Sequence, residues 1–314
     1  MCMALPAISE RKYQRKAPKF EALGKSELVH GSLDNPGHVR HAVKIIKSGG
    51  IAVFEVWGVF GIWGRADRLA TVERMFAVKD ETGLKKTLSA MMSSQHFLPL
   101  IDKDSVHPDI KHLVKDHHSL REHSGAFFFV GANIRKEAAK KAPTPLISYD
   151  EEGNAFMYNL DPYGHDYMSN LIEQIGIPWV GVMSLNTHDK PSIHDYQVAS
   201  EFCRAKGIPL ILRDPSHRRE KFIGSFAQVD IRKKAAVRDG KFPVSFINKT
   251  LGTELYTGQT KKAQYPQTLS ENLKMLLTAD MGPAEVRRIC IDYVTGRLEI
   301  ADIEKIILAQ TVKA

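Results

Sequence analysis

The stretch GVMSLNTHDKPS, residues 181–192, is the part of the sequence best suited to ligand chemistry. An apolar run that ends at Met183 meets Ser184 and Asn186, and a polar loop follows. This pattern predicts a strand that ends on two small polar side chains. Such side chains either hydrogen-bond the neighbouring backbone or face a ligand, to which they offer short neutral donors and acceptors. The residues alone leave both interpretations open.

Basic clusters could supply the positive charge that an anionic ligand needs. The net charge is +8, which makes nucleotides, RNA or acidic metabolites possible partners. Each cluster is either a solvated face or part of a phosphate-attracting groove. The clusters are ERKYQRKAPK near the start, NIRKEAAKKA at 133–142, RDPSHRREK at 213–221 and DIRKKAAVRDGK at 230–241.

The histidines and cysteines are not spaced like known metal sites. Five histidines lie between residues 107 and 123, but no pair has HExxH spacing, so we interpret them as exposed side chains on helical turns. The three cysteines, Cys2, Cys203 and Cys290, form no CxxC pair. They indicate a reducing compartment and offer no thiolate cage for a metal.

The composition is that of an ordinary globular protein. The chain has 314 residues, of which 43% are hydrophobic and 25% charged, enough for one large or two medium domains. No apolar run approaches the roughly 18 residues of a membrane span, and the start lacks the apolar centre of a secretory signal. We therefore expect a soluble, cytoplasmic protein without a membrane partner.

Predicted helices and strands alternate along most of the chain, which is typical of a mixed α/β sheet. We predict an N-terminal arm over residues 1–36, an α/β domain over 37–240 and a helical C-terminal extension over 241–314. The extension should pack on the domain through apolar residues at helical spacing. These residues are Leu273, Leu276, Leu277, Val286, Ile289, Ile303 and Ile307.

The order of segments over roughly residues 37–240 resembles the YrdC-like family, whose members include TsaC-type threonylcarbamoyl-adenylate synthases and the YciO proteins. GGIAVFEVWGVFGIWGRAD is similar to the family opening GGVVAYPTDTVYGLGADA, and ERMFAVKDETGLKKTLSAMMSS to its KxR helix and following strand. LIEQIGIPWVGVMSLNTHDKPS resembles the family segment with the Ser-x-Asn pair. The resemblance implies a twisted, partly open mixed sheet whose concave, basic face binds ATP.

The resemblance also implies roles for individual residues. Ser184 and Asn186 match the nucleotide-binding Ser-x-Asn pair, Lys79 matches the phosphate-binding lysine of KxR, and Arg238 would lie at the mouth of the same groove. Mg²⁺ would be held chiefly by the phosphates of ATP. A lysine is suited to this task because its ammonium is a mobile point charge.

The sequence departs from the family pattern at several of these positions. Glu55, Val56, Trp57 and Gly58 replace the PTDT run, Glu81 replaces the arginine of KxR, and the arginine of a VRxP strand falls at about Tyr158. The loss of arginines removes bidentate phosphate contacts. Other basic residues are candidates to compensate: Arg65, Lys85, Lys86, Arg218, Arg219 and Arg238.

The same departures predict a changed substrate pocket. Apolar and aromatic residues at these positions favour a co-substrate that is more apolar than threonine, although the aromatic residues could equally belong to the core. The predicted pocket comprises Val56, Trp57, Phe60, Trp63 and Tyr158.

The reaction implied by the resemblance joins bicarbonate, an amino acid and ATP into an adenylate and releases pyrophosphate. It depends mainly on positioning and charge stabilisation, which suits a sequence without a P-loop or GxSxG motif. One alternative is a YciO-like RNA- or nucleotide-binding protein without synthase activity. Another is an enzyme that activates a different acid or amine.

Overall fold

The computed structural model describes residues 27–79, 87–186, 192–216, 224–258, 260–261 and 273–311. Within these ranges the chain forms one mixed sheet of eleven strands. Short apolar and β-branched runs form most of these strands, as their propensities favour. The strands are β1 Val29–Ser32, β2 Ile51–Val56, β3 Val59–Arg65, β4 Ser89–Met91, β5 Phe128–Asn133, β6 Ser148–Tyr149, β7 Ala155–Leu160, β8 Val180–Ser184, β9 Leu210–Arg213, β10 Ala227–Asp230 and β11 Ala235–Arg238.

Helices connect the strands and continue after them. The Asn35 side chain caps α1 by accepting from two backbone N–H groups, and Gly49 ends that helix with φ 91°, as capping rules lead one to expect. Short 3₁₀ turns occupy 98–100, 103–105, 108–114 and 144–146. The α-helices are α1 Pro36–Ser48, α2 Leu69–Val78, α3 Ser94–Phe97, α4 His117–Ser124, α5 Lys136–Ala139, α6 Asp166–Ile175, α7 Tyr196–Ala205, α8 Val244–Leu251, α9 Lys274–Thr278, α10 Pro283–Val294 and α11 Ile300–Thr311.

The strand order along the sheet is β1-β9-β2-β3-β8-β4-β7-β5-β10-β11, and β6 pairs with β7. The strands β2 and β3 form an antiparallel hairpin, whereas β4 and β7 run parallel. The predicted mixed α/β class with a partly open sheet is confirmed.

The strand β1 corrects part of the sequence interpretation. It lies inside the segment predicted to be an irregular arm, yet it pairs in parallel with β9 from Val29 to Ser32. The strand has only four residues, and its burial is partial at most, so its sequence carries no clear alternation. The main sheet therefore begins before residue 37.

One face of the sheet, which we call the back face, packs against α2. A Cβ atom built on Gly64 would lie 2.6 Å from Cγ2 of Thr71 and 3.0 Å from Sδ of Met75. Because successive strand residues point to opposite faces, Gly61 and Trp63 of the same strand point to the other face, the front face. The absence of a side chain at Gly64 lets the helix approach closely.

In the described part of the chain, four helices follow β11. Leu273, Leu276, Val286, Ile289 and Ile303 are buried, and Leu277 and Ile307 are half-buried. The buried Arg287 guanidinium donates to the carbonyl oxygens of Gly125 and Tyr163. This arginine joins α10 to the loops around β5 and α6, so the extension packs on the sheet domain.

Candidate functional site

The strand register brings residues from distant segments onto the front face. Residues opposite each other on neighbouring strands share a face. Trp63 pairs with Val182, and Val182 pairs with Ser89. At the other end of the sheet, Gln228 pairs with Arg238. The front face therefore carries apolar residues in its middle and polar residues towards β10 and β11.

A cavity of about 120 Å³ opens on this face, and we call it the front cavity. Its wall combines large apolar side chains with four serines, one glutamine and one arginine. The lining residues are Val56, Val59, Phe60, Gly61, Trp63, Ser89, Met91, Phe129, Leu160, Val182, Met183, Ser184, Ser192, Ser225, Phe226, Gln228 and Arg238.

Five of the predicted site residues line the front cavity: Val56, Phe60, Trp63, Ser184 and Arg238. The Ser184 hydroxyl donates to Oδ1 of Asn186 over 2.8 Å. Ser184 therefore both hydrogen-bonds Asn186 and lines the front cavity. The Arg238 guanidinium donates to the carbonyl oxygen of Phe226 over 2.7 Å, which holds the charge at the cavity wall.

Other predicted site residues lie outside the front cavity. Lys79 ends α2 and is 7% exposed, at the end of a helix that packs on the back face. Asn186 is buried one residue beyond Leu185, and Tyr158 lies on β7 opposite Gly131. Trp57 lies in the β2–β3 turn, where its ring packs on His165 and Phe242 instead of facing the cavity.

One of the proposed basic residues, on β3, does not line the front cavity. Arg65 forms an ion pair with Asp67 at 2.6 Å. Glu81, Lys85, Lys86, Arg218 and Arg219 lie outside the described residues. In the part of the chain that the structure describes, Arg238 is thus the one charged side chain that lines the front cavity.

The other polar side chains that line the front cavity, four serines and one glutamine, are neutral. Burial, together with the charge of Asp230, raises the pKa of Tyr158 to about 12, so its phenol keeps its proton near neutral pH.

Among the described residues, no group of three or more His, Cys, Asp or Glu side chains could hold a metal ion. None of the helices described is long and apolar enough to cross a membrane.

No family model matches the sequence, and no curated protein matches it. Solved structures do match. A double variant of P. abyssi Sua5 has a TM-score of 0.53 and 17% identity over 73% of this chain and 65% of its own. E. coli YciO has a TM-score of 0.50 and 14% identity over 68% of this chain and 93% of its own. The chain has the YrdC-like fold.

A further structure with the YrdC-like fold is P. abyssi Sua5 complexed with L-threonine. It has a TM-score of 0.52 and 19% identity over 70% of this chain and 58% of its own. This chain thus spans less than two thirds of the length of the two Sua5 chains. At these identities the likeness establishes the fold, as the sequence resemblance predicted.

In this YrdC-like fold, the turn between β2 and β3 has an unusual backbone. Trp57 and Gly58 have φ angles of 44° and 80°, which is the pattern of a type I′ hairpin turn. A bulky residue with positive φ is rare, and such strain costs of order 1–3 kcal/mol. The surrounding structure must therefore hold this turn in place.

Three buried side chains hold the turn: His165, Asp214 and Lys241. We call these three residues, together with Trp57, the turn clamp. The Trp57 N–H donates to the Asp214 carboxylate over 3.1 Å. The Lys241 ammonium donates to the carbonyl oxygens of Val56 and Trp57 over 3.1 and 2.7 Å. His165 Nε2 lies 2.9 Å from Asp214, and its ring stacks on that of Trp57 at 4.9 Å.

Burial sets the electrostatics of the turn clamp. Burial lowers the pKa of Lys241 far below its ordinary value, against the opposing effect of the Asp214 and Glu55 charges. Burial alone would raise the pKa of Asp214, but His165 and hydrogen bonds from Ser216 and Trp57 hold it well below its usual range. The turn clamp positions Val56, which lines the front cavity.

The sequence interpretation missed His165, Asp214 and Lys241. Asp214 is 157 residues from Trp57 and 49 from His165, so no short motif joins them. The available signal was a charged residue at the end of each of two strand-like segments: Asp214 ends IPLILRD, and Lys241 follows AVRDG. Neither position shows from the sequence alone that its side chain contacts Trp57, because that contact depends on how the strands are arranged.

Proposed function

We propose that the protein is an ATP-dependent enzyme that forms a carbamoyl- or acyl-adenylate from a small amino-acid-like substrate with an apolar side chain. The observation that carries this proposal is the front cavity, where Ser184 and Arg238 meet an apolar wall on the face that the fold leaves open. Ligand sites are typically concave and mostly apolar, with a few polar groups that fix orientation.

The size and lining of the front cavity support a small apolar side chain as its occupant. Apolar cavities of about 150 Å³ bind benzene, and the front cavity has about 120 Å³. P. abyssi Sua5 is complexed with L-threonine, which supports an amino acid as the occupant of the front cavity here. In this chain Val56, Trp63 and Phe129 contribute apolar surface without a hydroxyl.

The polar residues supply what adenylate formation requires. Arg238 would pair with the carboxylate or with a phosphate, and Ser184, Ser89 and Gln228 would orient neutral oxygens. In the step itself a carboxylate oxygen attacks the α-phosphorus, the bond to the bridging oxygen breaks, and pyrophosphate leaves with the electron pair. Positioning and charge stabilisation are sufficient for this chemistry.

The nucleotide would extend beyond the front cavity, which is too small for it. We propose that Ser184, Asn186 and Arg238 bind the nucleotide near the cavity and that Lys79 binds its phosphates. Mg²⁺ would be held mainly by phosphate oxygens.

Substrate preference gives the first test. Valine and threonine have nearly the same shape, but a threonine hydroxyl placed against the apolar wall of Val56, Trp63 and Phe129 would be buried without a partner, which costs about 1–3 kcal/mol. We expect kcat/KM for valine, or another small aliphatic amino acid, to exceed that for threonine by roughly 5- to 150-fold. The measurement is pyrophosphate release with ATP, Mg²⁺, bicarbonate and one amino acid at a time.

Two results would contradict the proposal in different ways. Threonine as the best substrate would show that the apolar lining does not select the side chain. Absence of ATP binding and of pyrophosphate release, together with salt-sensitive RNA binding, would favour an RNA-binding protein without synthase activity.

Lys79 gives a second test, aimed at the nucleotide. Loss of a charge-assisted hydrogen bond costs about 1.5–3 kcal/mol, so Lys79→Ala should weaken ATP binding by roughly 10- to 150-fold. Calorimetry would measure the affinity. Lys44→Ala is the matched control because Lys44 is exposed on α1, and it should leave the affinity unchanged. Equal affinities for the two variants would remove Lys79 from the nucleotide site.

A further inference from the structure

A second cavity, of about 420 Å³, lies beyond the carboxyl ends of the two central strands β4 and β7, and we call it the edge cavity. The strands β4 and β7 run parallel, with Met91 opposite Leu160, so their carboxyl ends meet at this edge. The next residues, Met92 and Asp161, line the cavity. In open α/β sheets, ligands bind outside the carboxyl ends of the strands.

The edge cavity is separate from the front cavity. Across the described part of the chain, no residue lines both. The strand β8 runs antiparallel to β4, so Pro178, just before its start, borders the edge cavity, while Ser184 at its end borders the front cavity. The two cavities are therefore at opposite ends of the same strand.

A buried hydroxyl in the edge cavity has no partner among the residues that the structure describes. Ser94 is 1% exposed, and within the described residues its Oγ makes no hydrogen bond. Its backbone N–H is occupied, because it donates to the Asp161 carboxylate. Buried polar groups are nearly always paired with protein or with a bound molecule. The free hydroxyl therefore indicates a partner that is not part of the described chain.

An arginine with unused donors lines the same cavity. The Nε of Arg121 is buried and, as far as the described residues extend, has no hydrogen-bond partner. The guanidinium stacks over the Tyr163 ring at 4.8 Å, and Nε lies 3.8 Å from Glu122, an ion-pair contact beyond hydrogen-bond length. Stacking fixes the plane of the guanidinium while leaving its N–H groups available.

The Asp161 carboxylate, which lines the same cavity, is held by two backbone hydrogen bonds. One of its oxygens accepts from the backbone N–H of Ser94, and the other accepts from that of Tyr163 over 2.9 Å. His96 and His117 add further nitrogen donors or acceptors to the lining, and Ile172 and Ile177 form an apolar wall. The edge cavity thus combines a planar cation, a neutral donor and an apolar surface with two carboxylates, those of Asp161 and Glu173.

We propose that the edge cavity is a binding site for a small organic oxyanion, a carboxylate or a phosphate on a compact apolar group. Two oxygens of the ligand would accept from the Arg121 guanidinium, whose planar donors match both anions. The Ser94 hydroxyl donates to the same anionic group, and the apolar part packs on Ile172 and Ile177. This site is independent of the function proposed for the front cavity.

Calorimetry on the full chain tests the proposal with two probes, inorganic phosphate and butyrate. We expect at least one probe to bind, and the one that binds more tightly identifies the anion. Hydrogen bonds to charged groups contribute about 1.5–3 kcal/mol, so Arg121→Gln and Ser94→Ala should each weaken binding by roughly 10- to 150-fold. The Arg40→Gln variant is the matched control, because Arg40 is exposed on α1.

The front cavity must be separated from this signal, because butyrate could also bind there. Repeating the titration on Arg238→Gln does so: binding that persists in this variant but is lost in Arg121→Gln belongs to the edge cavity. Ser94→Ala should keep its thermal stability, since the hydroxyl has no protein partner to lose. The proposal is overturned if neither probe binds at millimolar concentration, or if Arg121→Gln binds as tightly as Arg40→Gln.

Discussion

Lys241→Met should lower the free energy of unfolding by roughly 1–3 kcal/mol, because a buried acceptor left without a donor costs about this much. The acceptor is the carbonyl oxygen of Trp57, since that of Val56 also pairs with Val59 across the hairpin. Methionine retains the apolar length of the side chain, so the variant removes the hydrogen bonds while limiting the loss of packing. Urea denaturation at neutral pH measures the change.

Lys233→Met is the matched control, because Lys233 is exposed on the loop before β11. It should change the free energy of unfolding by less than about 0.5 kcal/mol, as is usual for surface substitutions. If Lys241→Met were as stable as this control, the turn clamp would not hold the strained turn.

The pH dependence of stability gives the turn clamp a second signature. The pKa of Asp214 is lower in the folded protein than in the unfolded chain, so its contribution is present above about pH 4 and is lost at lower pH. The pKa of Lys241 is also lowered by folding, so the unfolded state binds more protons and stability rises with pH, up to about pH 10.4. Lys241→Met should remove the alkaline part of this rise and leave the acidic part.

Gly61→Val should raise KM for the amino acid by roughly 10- to 150-fold, since excluding a side chain from an apolar site forfeits about 1.5–3 kcal/mol. Gly61 lines the front cavity, and a Cβ atom there would lie 3.1 Å from Nε1 of Trp63. The added isopropyl group would therefore occupy the space proposed for the substrate. Valine is a favourable strand residue, so the fold should tolerate it after a small shift of Trp63.

The affinity for ATP provides the internal control, because the nucleotide lies mainly outside the cavity in this account. Val182→Ala makes the opposite change, since Val182 also lines the cavity. It should shift kcat/KM towards larger aliphatic amino acids. If neither variant altered the ratio of kcat/KM between small and large amino acids, the front cavity would not be the substrate site.

The sequence predicted those parts of the fold that depend on local patterns. The run AFMYNL is β7, and the apolar run before Ser184 is β8. Both segments are apolar and end at polar residues, so burial and strand propensity act in the same direction. The structural likeness to Sua5 and YciO confirms the fold expected from the order of such segments.

The sequence was less informative where contacts join distant residues. Trp57 was predicted either to face a substrate or to belong to the core, and a turn with positive φ places its ring against His165 and Phe242. Asp214 and Lys241 act on this turn from segments far along the chain. Such contacts depend on strand order, which propensity and periodicity do not specify.

The roles of individual site residues depend on both kinds of information. The sequence selected Ser184 and Arg238, and the structure places both at the front cavity. The sequence analysis also assigned Lys79 to phosphate binding. Lys79 ends a helix on the back face, so the contact between Lys79 and phosphate stays a prediction. The register across β3, β8, β4 and β7 decides which of the predicted residues meet.

A crystal structure of the protein grown with ATP, Mg²⁺ and its best amino-acid substrate would test the central claim most directly. We predict that the substrate side chain occupies the front cavity, with its apolar surface on Trp63 and Phe129 and an acidic group within hydrogen-bond distance of Arg238. A substrate bound elsewhere, with the front cavity empty or filled by protein side chains, would contradict it.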